Sequence, residues 1–267
     1  MQEKEENAVL LAIDIGNTNL HVGLFEKDEL ILDFCMGSDP NRSADEYAWT
    51  LSSLLTLHKS NPADVTDVVI GSVVPSLTGR VRKAVQLLTK APILTVGPGV
   101  KTGFPIRIDD PAELGADIAA TIAATLMKVG APAIVADFGS ATVISVIDKD
   151  GAYVGGSILP GIDMSLGALH NAKLLPDVSP EKEVPSLGRN TEDCIRAGVL
   201  RGQAMSVVGF YELYKRSKGL GENTPLVVSG GYAEYLLPYL PRPTLPLPLL
   251  TLWGLLRIHQ INQKKKG

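Results

Sequence analysis

Only two cysteines, Cys35 and Cys194, occur in the 267 residues. Two cysteines make no disulfide framework and no metal-binding spacing, so a reducing compartment is the expectation. The four histidines, His21, His58, His170 and His259, are scattered and fit no zinc motif. There is no surplus of basic charge: 25 Lys and Arg stand against 29 Asp and Glu, a net charge of −4. A general nucleic-acid binder shows a basic footprint, so that class is disfavoured. The one basic run, Lys264-Lys265-Lys266, reads as a solvated tail. Apolar stretches are short or broken by Gly and Pro, so no membrane span is expected. The opening MQEKEEN is polar and acidic, unlike a signal peptide. No Gly-x-Ser-x-Gly elbow and no Cys–His pattern suggests covalent catalysis. These absences together point to a cytoplasmic protein with neither nucleic acid nor membrane as partner.

What the chain has is a phrase used twice. Residues 12–28 read AIDIGNTNLHVGLFEKD and residues 135–151 read VADFGSATVISVIDKDG. Each is an apolar run, an Asp-x-Gly corner with small polar residues, and a second apolar run closed by charged turn residues. Asp14 matches Asp137 and Gly16 matches Gly139, 123 residues apart in a chain of 267. A continuous apolar run such as Val9–Ile13 suits a strand buried on both faces. Gly16 lets a ligand approach the main chain, while Asn17, Thr18 and Asn19 offer small hydrogen-bonding groups. Such a corner can wrap a polyphosphate with backbone amides while the acid holds a cation or a water. A single copy is also compatible with an ordinary hairpin closed by an Asx-type turn. The second copy at half-chain spacing favours a duplicated phosphate-facing unit. With 45% hydrophobic and 20% charged residues, each half can bury its own core.

Along the chain, Ser43 with Glu46 three residues on has the spacing of a capping box and predicts a helix to about His58. A strand is expected within Val65–Val74, a helix over Leu77–Thr89, and a short strand over Ile93–Val96. Thr102 to Asp110 reads as extended, and Pro111 opens an Ala-rich helix over Ala112–Lys128 that carries Asp117. Gly130-Ala131-Pro132 is the linker candidate, dividing the chain into domains 1–130 and 131–267, the terminal helix belonging to the second. Residues 155–161 read as a Gly-rich corner leading into a helix to about Ala172. Asn190 caps another helix to about Lys215. A strand over Pro225–Ser229 runs into Gly230-Gly231. Five prolines in 238–248 argue against regular structure, and Thr251–Asn262 reads as a final helix. Strand pairs alternating with helices imply a two-domain α/β protein with mixed sheets flanked by helices.

Gly97-Pro98-Gly99-Val100-Lys101-Thr102-Gly103 imitates a nucleotide P-loop, but Val100 stands where Gly must precede the Lys, and Gly103-Phe104-Pro105 cannot open a helix. A lone Asp on a helix is usually a surface residue. Asp117, between Ala116 and Ile118 in an apolar segment, is equally a candidate buried carboxylate, and general-base work is one reason to bury a carboxylate. Gly230-Gly231 after a strand resembles the adenosine-side corner of two-domain kinases; a plain tight turn fits it nearly as well.

In order along the chain, DIGNTNLHVG (14–23), GSVVPSL (71–77), GPGVKTG (97–103), DDPAELGAD (109–117), ADFGSAT (136–142), GAYVGGSILPGIDMSLGAL (151–169), NT (190–191), SGG (229–231) and LTLWGLLRI (250–258) closely resemble the type III pantothenate kinases. That resemblance implies two ribonuclease-H-like domains of the actin-like, sugar-kinase ATPase superfamily, with the active site in the cleft between them. It implies ATP-dependent phosphorylation of pantothenate, the first committed step toward coenzyme A. In matching positions, Asp14, Ile15, Gly16, Asn17, Thr18, Asn19, Leu20 and His21 would form the first ATP-binding hairpin, and Ser140 would contact ATP from the second. Asp117 would be the general base. Gly115, Ala116, Asp117 and Ile118 would line the pantothenate site, with Thr191 on the same substrate. Asp137 would bind the monovalent cation, potassium or ammonium, and magnesium would accompany ATP. The family forms homodimers with pantothenate near the subunit interface.

The resemblance has departures. The family phrase usually ends Gly-Ala-Asp-Arg, and here Ile118 stands in the arginine's place, removing a fixed charge and a fork of donors. Ile108 stands where many relatives carry a tyrosine, Asp110 replaces a usual Asn, and Ser140 replaces a usual Thr while keeping the hydroxyl. The first two changes remove polar reach from the acceptor side. Two other functions therefore stay open at the level of sequence: a non-catalytic nucleotide-binding regulator, such as the transcriptional accessory factors of this family, and a kinase for another small hydroxylated acceptor.

Overall fold

The computed structural model describes residues 8–172 and 175–263. The basic run at 264–266 and the polar opening segment lie outside them. Two compact units divide the chain: Met1–Gly103 with Ala112–Ala124 and Thr251–Gly267, and Phe104–Pro111 with Thr125–Leu250.

The first unit is built on β1 (Val9–Ile15), β2 (Asn19–Glu26), β3 (Glu29–Gly37), β4 (Asp67–Ser72) and β5 (Ile93–Thr95), ordered β3-β2-β1-β4-β5. β1 pairs antiparallel with β2 and parallel with β4. β3, absent from the elements expected above, is legible in hindsight: ELILDFCMG alternates, and Leu32, Phe34 and Met36 turn to the core. On that face Leu11, Ile13, Ile15, Leu20 and Val22 pack with Tyr47 and Leu51 of α1 (Ala44–Leu57) and Leu77, Val81 and Val85 of α2 (Pro75–Leu88). Buried Ala44, Tyr47, Ala48, Leu51 and Leu55 keep the helical spacing of a one-sided face. The expected capping box on α1 is present: Glu46 N donates to Ser43 Oγ at 3.2 Å and Ser43 N donates to Glu46 Oε2 at 2.7 Å. Ser43→Ala should therefore lower stability by about 1 kcal/mol in urea denaturation, without changing the slope of the transition.

The second unit repeats the plan. β6 (Ala133–Phe138), β7 (Ala141–Ile147), β8 (Tyr153–Pro160), β9 (Leu226–Ser229) and β10 (Thr244–Pro246) are ordered β10-β9-β6-β7-β8. β6 pairs antiparallel with β7 and parallel with β9, as β1 does with β2 and β4. The duplication read from two short phrases thus extends to all five strands. Ile134, Ala136 and Phe138 share a core with Leu200, Ala204, Val207 and Tyr211.

Several expectations need correction here. Residues 155–160 are not a corner but most of β8, whose pairing with β7 tolerates the glycines. The proline-rich stretch is partly regular: β10 is an edge strand, where a missing N–H is tolerated. Pro111–Glu113 is a separate 3-10 turn, and helix α3 is Ala116–Lys128. The helix expected from Asn190 to Lys215 is α5 (Thr191–Arg196), a π-helical turn (Ala197–Arg201) and α6 (Gly202–Ser217). Thr102–Asp110 forms no strand; Ile106 makes one parallel bridge to Tyr153. Between these lie α4 (Ile162–His170) and α7 (Ala233–Leu236).

The terminal helix α8 (Leu250–Gln263) belongs almost wholly to the first unit, not to the second half where a cut at Gly130 puts it. The cause is packing. Trp253 meets Phe25 edge-on at 5.2 Å, and Leu252 and Leu255 lie over Gly23 and Gly71 of the sheet. Gln263 Nε2 donates to Asp67 Oδ1 at 2.9 Å. Sequence position says nothing of which sheet a helix returns to.

Candidate active site

In open α/β sheets, ligands gather at the carboxyl ends of the parallel strands. In the first unit that end holds Asp14. It stands opposite His21 across the antiparallel pair and beside Gly71 across the parallel one. Its Oδ1 atom is sealed from solvent. Ile15 and Leu20 on either side are fully buried, which fixes the root of the hairpin. The tip, Asn17, Thr18 and Asn19, is exposed. Gly16 N donates to Asn19 O at 3.0 Å, and a Cβ on Gly16 would lie 3.0 Å from that same oxygen. The tip is held from outside by Ser38, whose Oγ donates to Gly16 O at 2.6 Å and whose N–H donates to Thr18 O at 2.8 Å. Burial holds the His21 imidazole below its usual range, with the Asp33 carboxylate opposing.

Gly115, Ala116, Asp117 and Ile118 sit at the start of α3, against the same strand ends. A Cβ on Gly71 would lie 3.8 Å from Ala116 Cβ, and one on Gly115 would lie 3.8 Å from Val73 Cγ1 and 2.5 Å from Asp117 Oδ1. The last distance explains the glycine: the Asp117 carboxylate occupies the space a side chain at position 115 would need. Asp117 Oδ1 accepts from Ile118 N at 2.7 Å, and Thr121 Oγ1 donates to Asp117 O. Burial pushes the Asp117 carboxyl above its ordinary value, and the Ile118 amide pulls against it. A desolvated carboxylate at a strand-end site has the character of a general base, since raising its pKa brings its proton affinity closer to working pH.

In the second unit Asp137 takes the place of Asp14, opposite Val143 and beside Ser229. Its hairpin is shorter. Gly139 N donates to Ala141 O at 3.1 Å, so two residues rather than three separate the strands, and Ser140 is the exposed tip. The corner after β9 is more than a plain tight turn. Gly230 has a φ of 94°, and a Cβ there would lie 2.4 Å from Phe138 C and O. The backbone of this corner rests on the residue that follows Asp137. Thr191 is the exposed first residue of α5, whose N-cap Asn190 accepts from Asp193 N at 2.9 Å.

The structure thus brings Asp14–His21 and Gly115–Ile118 together in one unit, and places Asp137, Ser140 and Thr191 in the other. The P-loop imitation is a loop tied to α8, with Lys101 O accepting from Asn262 Nδ2 at 2.9 Å and no helix following Thr102. Sequence reasoning passed over Ser38, and the alternation of β3 ending at Gly37 was the signal that could have found it. A groove lined by Val65, Thr66, Thr89 and Pro92 lies at the opposite end of β4 from Asp14. Among the described residues no group of three or more His, Cys, Asp or Glu is arranged to hold a metal. Among the described residues no helix is long and apolar enough to cross a membrane.

Comparison with known proteins bears on the family and the fold. The family model described as type III pantothenate kinase matches residues 10–213. A protein named type III pantothenate kinase from Geobacter sp. (strain M21) is 36% identical over 257 residues, covering 96% of this chain and all of that one. One of the same name from Moorella thermoacetica is 36% identical over 255 residues, covering 95% and 100%. Among solved structures, a protein from Campylobacter jejuni described as a Baf family transcriptional activator superposes with a TM-score of 0.62 at 19% identity, covering 95% of this chain and 99% of that one. Component A of (R)-2-hydroxyglutaryl-CoA dehydratase from Acidaminococcus fermentans does so with 0.58 at 14%, covering 96% and 99%. These two likenesses concern the fold, two similar α/β units of the actin-like ATPase kind.

Proposed function

Because the chain belongs to the type III pantothenate kinase family, we propose that it transfers the terminal phosphoryl group of ATP to the hydroxyl of pantothenate, at the entry to coenzyme A synthesis in the cytoplasm. The observation that carries this reading is the desolvated Asp117 carboxylate at the start of α3, beside the ends of β1 and β4.

Phosphoryl transfer asks the protein mainly for positioning and charge stabilisation. The backbone of Gly16–Asn19, held by Ser38, offers amides to the phosphates, with Asp14 and His21 at its root. Ser140 contacts ATP from the shorter hairpin, and Asp137 holds the potassium or ammonium ion. Gly115–Ile118 and Thr191 receive pantothenate, and Asp117 takes the proton from its hydroxyl. Magnesium, when bound with ATP, neutralises charge on the phosphates. Such an ion is commonly held by one or two carboxylates plus phosphate oxygens, a donor set that the half-buried Asp14 fits. The active species is a homodimer in this reading.

Ile118 is half-buried beside the base, where the family phrase carries arginine. A guanidinium there would meet the pantothenate carboxylate with a charge-assisted bond. Ile118→Arg should lower the KM for pantothenate by roughly threefold to tenfold, a change of order 1 kcal/mol, with the KM for ATP unmoved. Unchanged kinetics would show that Ile118 does not limit acceptor binding. A panel of small hydroxylated acids, assayed with ATP, magnesium and potassium, tests the substrate. Pantothenate should be the preferred acceptor, and turnover with another acid but not with pantothenate would overturn the assignment.

A further inference from the structure

An amide is buried beside the Asp137 hairpin, and the proposed chemistry does not use it. Gln203, in the first turn of α6, is 7% exposed, and its neighbours along the helix, Leu200, Ala204 and Val207, belong to the apolar core. Gln203 Nε2 donates to Thr142 Oγ1 at 2.6 Å and to Pro160 O at 2.9 Å. Pro160 O can only accept, so the amide nitrogen must face it. The two acceptors flank the hairpin tip at Ser140. Thr142, fully buried near the start of β7, stands opposite Phe138, the residue after Asp137. Pro160 is the last residue of β8, opposite Ala141, and brings no N–H to that rung of the ladder. Gly161 follows it. A Cβ on Gly161 would lie 2.2 Å from Ser140 O and 2.6 Å from Gly139 O, so this stretch rests directly on the tip backbone. One amide therefore ties together the two strands that frame the tip.

We propose that Gln203 is a positioning residue for ATP: its amide clamps Thr142 and Pro160 and so fixes the Ser140 tip between them. The inference rests on reading that tip as an ATP contact. Packing alone does not account for the amide. Leucine or methionine would fill the space with no polar group to bury, and burying an amide is costly unless its hydrogen bonds are made. Here they are made to the two strands that frame the tip. The π-helical turn Ala197–Arg201 stands directly before α6. Such turns often mark functional sites, because the wider turn changes the face on which the following side chains emerge. The clamp matters because main-chain and hydroxyl groups at the tip help a phosphate only when held in place beforehand. Gly115–Ile118, proposed for the acceptor, belong to the other unit. Loss of the clamp should therefore be felt by the nucleotide rather than by the acceptor.

The test is calorimetric binding of magnesium–ATP to the full chain and to Gln203→Met and Thr142→Val, with steady-state kinetics alongside. Methionine keeps the length and removes both donors, and valine keeps the shape and removes only the hydroxyl. Gln203→Met should weaken ATP binding about fivefold to tenfold, with the KM for ATP rising in step and the KM for pantothenate unmoved. Thr142→Val should weaken it less, about twofold to threefold, since the bond to Pro160 remains. Added to Gln203→Met, it should cost nothing further. Thr142→Ser keeps the hydroxyl and should bind ATP as the wild type does. Val207→Ala supplies the contrast: it thins the same core, so stability should fall while the KM for ATP stays unmoved. Unaltered ATP affinity in folded Gln203→Met would overturn the clamp, as would an equal rise in both KM values or a matching rise in the KM for ATP from Val207→Ala. A wild-type chain that binds no ATP would instead overturn the functional reading on which the clamp rests. If Gln203→Met fails to fold, Thr142→Val against Thr142→Ser decides, equal affinities there overturning the clamp.

Discussion

Asp117→Asn should lower kcat about a hundredfold to ten-thousandfold, the usual worth of a positioned general base, while the folded chain becomes no less stable. Both halves come from the same burial. The carboxyl lies in a setting that raises its pKa, with desolvation the main cause and the Ile118 amide opposing. A carboxyl whose folded pKa lies above its unfolded value favours folding most when protonated. That contribution is full below the unfolded pKa and is lost as pH rises through the folded one. At neutral pH the wild-type chain therefore carries the cost of an ionised, desolvated group. Asparagine keeps the shape and an oxygen for the Ile118 N–H, and it has no charge to desolvate. Thermal unfolding at pH 7 should show a midpoint equal to or above wild type. The rate has the opposite pH dependence: only the ionised base accepts a proton, so kcat/KM should fall as pH drops through the raised pKa. The acid limb should stand above the ordinary carboxylate range and be missing from the residual activity of Asp117→Asn. A variant that loses activity together with stability would point to a structural role for Asp117.

The second large effect concerns Gly254. A Cβ there would lie 1.8 Å from Ala120 O and 2.3 Å from Ala120 C, so α8 and α3 meet backbone to backbone. No flexible side-chain end can give way. Gly254→Ala must lift α8 from α3, loosening Leu252 over Gly23, Leu255 over Gly71 and Trp253 on Phe25. Replacing a mid-helix glycine by alanine ordinarily gains roughly 0.5–1 kcal/mol. Overpacking costs about 1–3 kcal/mol, sometimes more, and with rigid neighbours the cost wins. The variant should lose about 2 kcal/mol or more in urea denaturation. Gly209 in α6 makes the contrast, since nothing lies within 4 Å of a Cβ there. Gly209→Ala should stabilise by about 0.5–1 kcal/mol. Equal effects at the two positions would contradict the close approach. Because α3 carries Asp117 in its first turn, Gly254→Ala should also depress kcat, a loss that Gly209→Ala should not share.

The parts of this architecture visible in the sequence are those encoded by local chemistry. The paired Asp-x-Gly phrases, the Ser43–Glu46 box and the Ala-rich face of α3 are signals that neighbouring residues settle among themselves. Strands β3 and β8 were missed for opposite reasons. The alternation of Glu29–Gly37 was overlooked, while Gly155 and Gly156 hid a strand whose partner β7, not its own propensity, makes it extended. The placement of α8 was illegible because glycines at 23, 71 and 254 select its partners across the whole chain. At the candidate site, Asp14, Asp117 and Asp137 stood out by motif.

One measurement bears most directly on the central claim: ADP release by the wild-type chain with ATP, magnesium and potassium, with and without pantothenate, beside Asp117→Asn. The account predicts release that depends on pantothenate, saturates with it, and drops by about a hundredfold or more in the variant. Release indifferent to pantothenate, or equal in the two proteins, would contradict it. Nucleotide binding without pantothenate-dependent turnover would leave a regulator rather than a kinase.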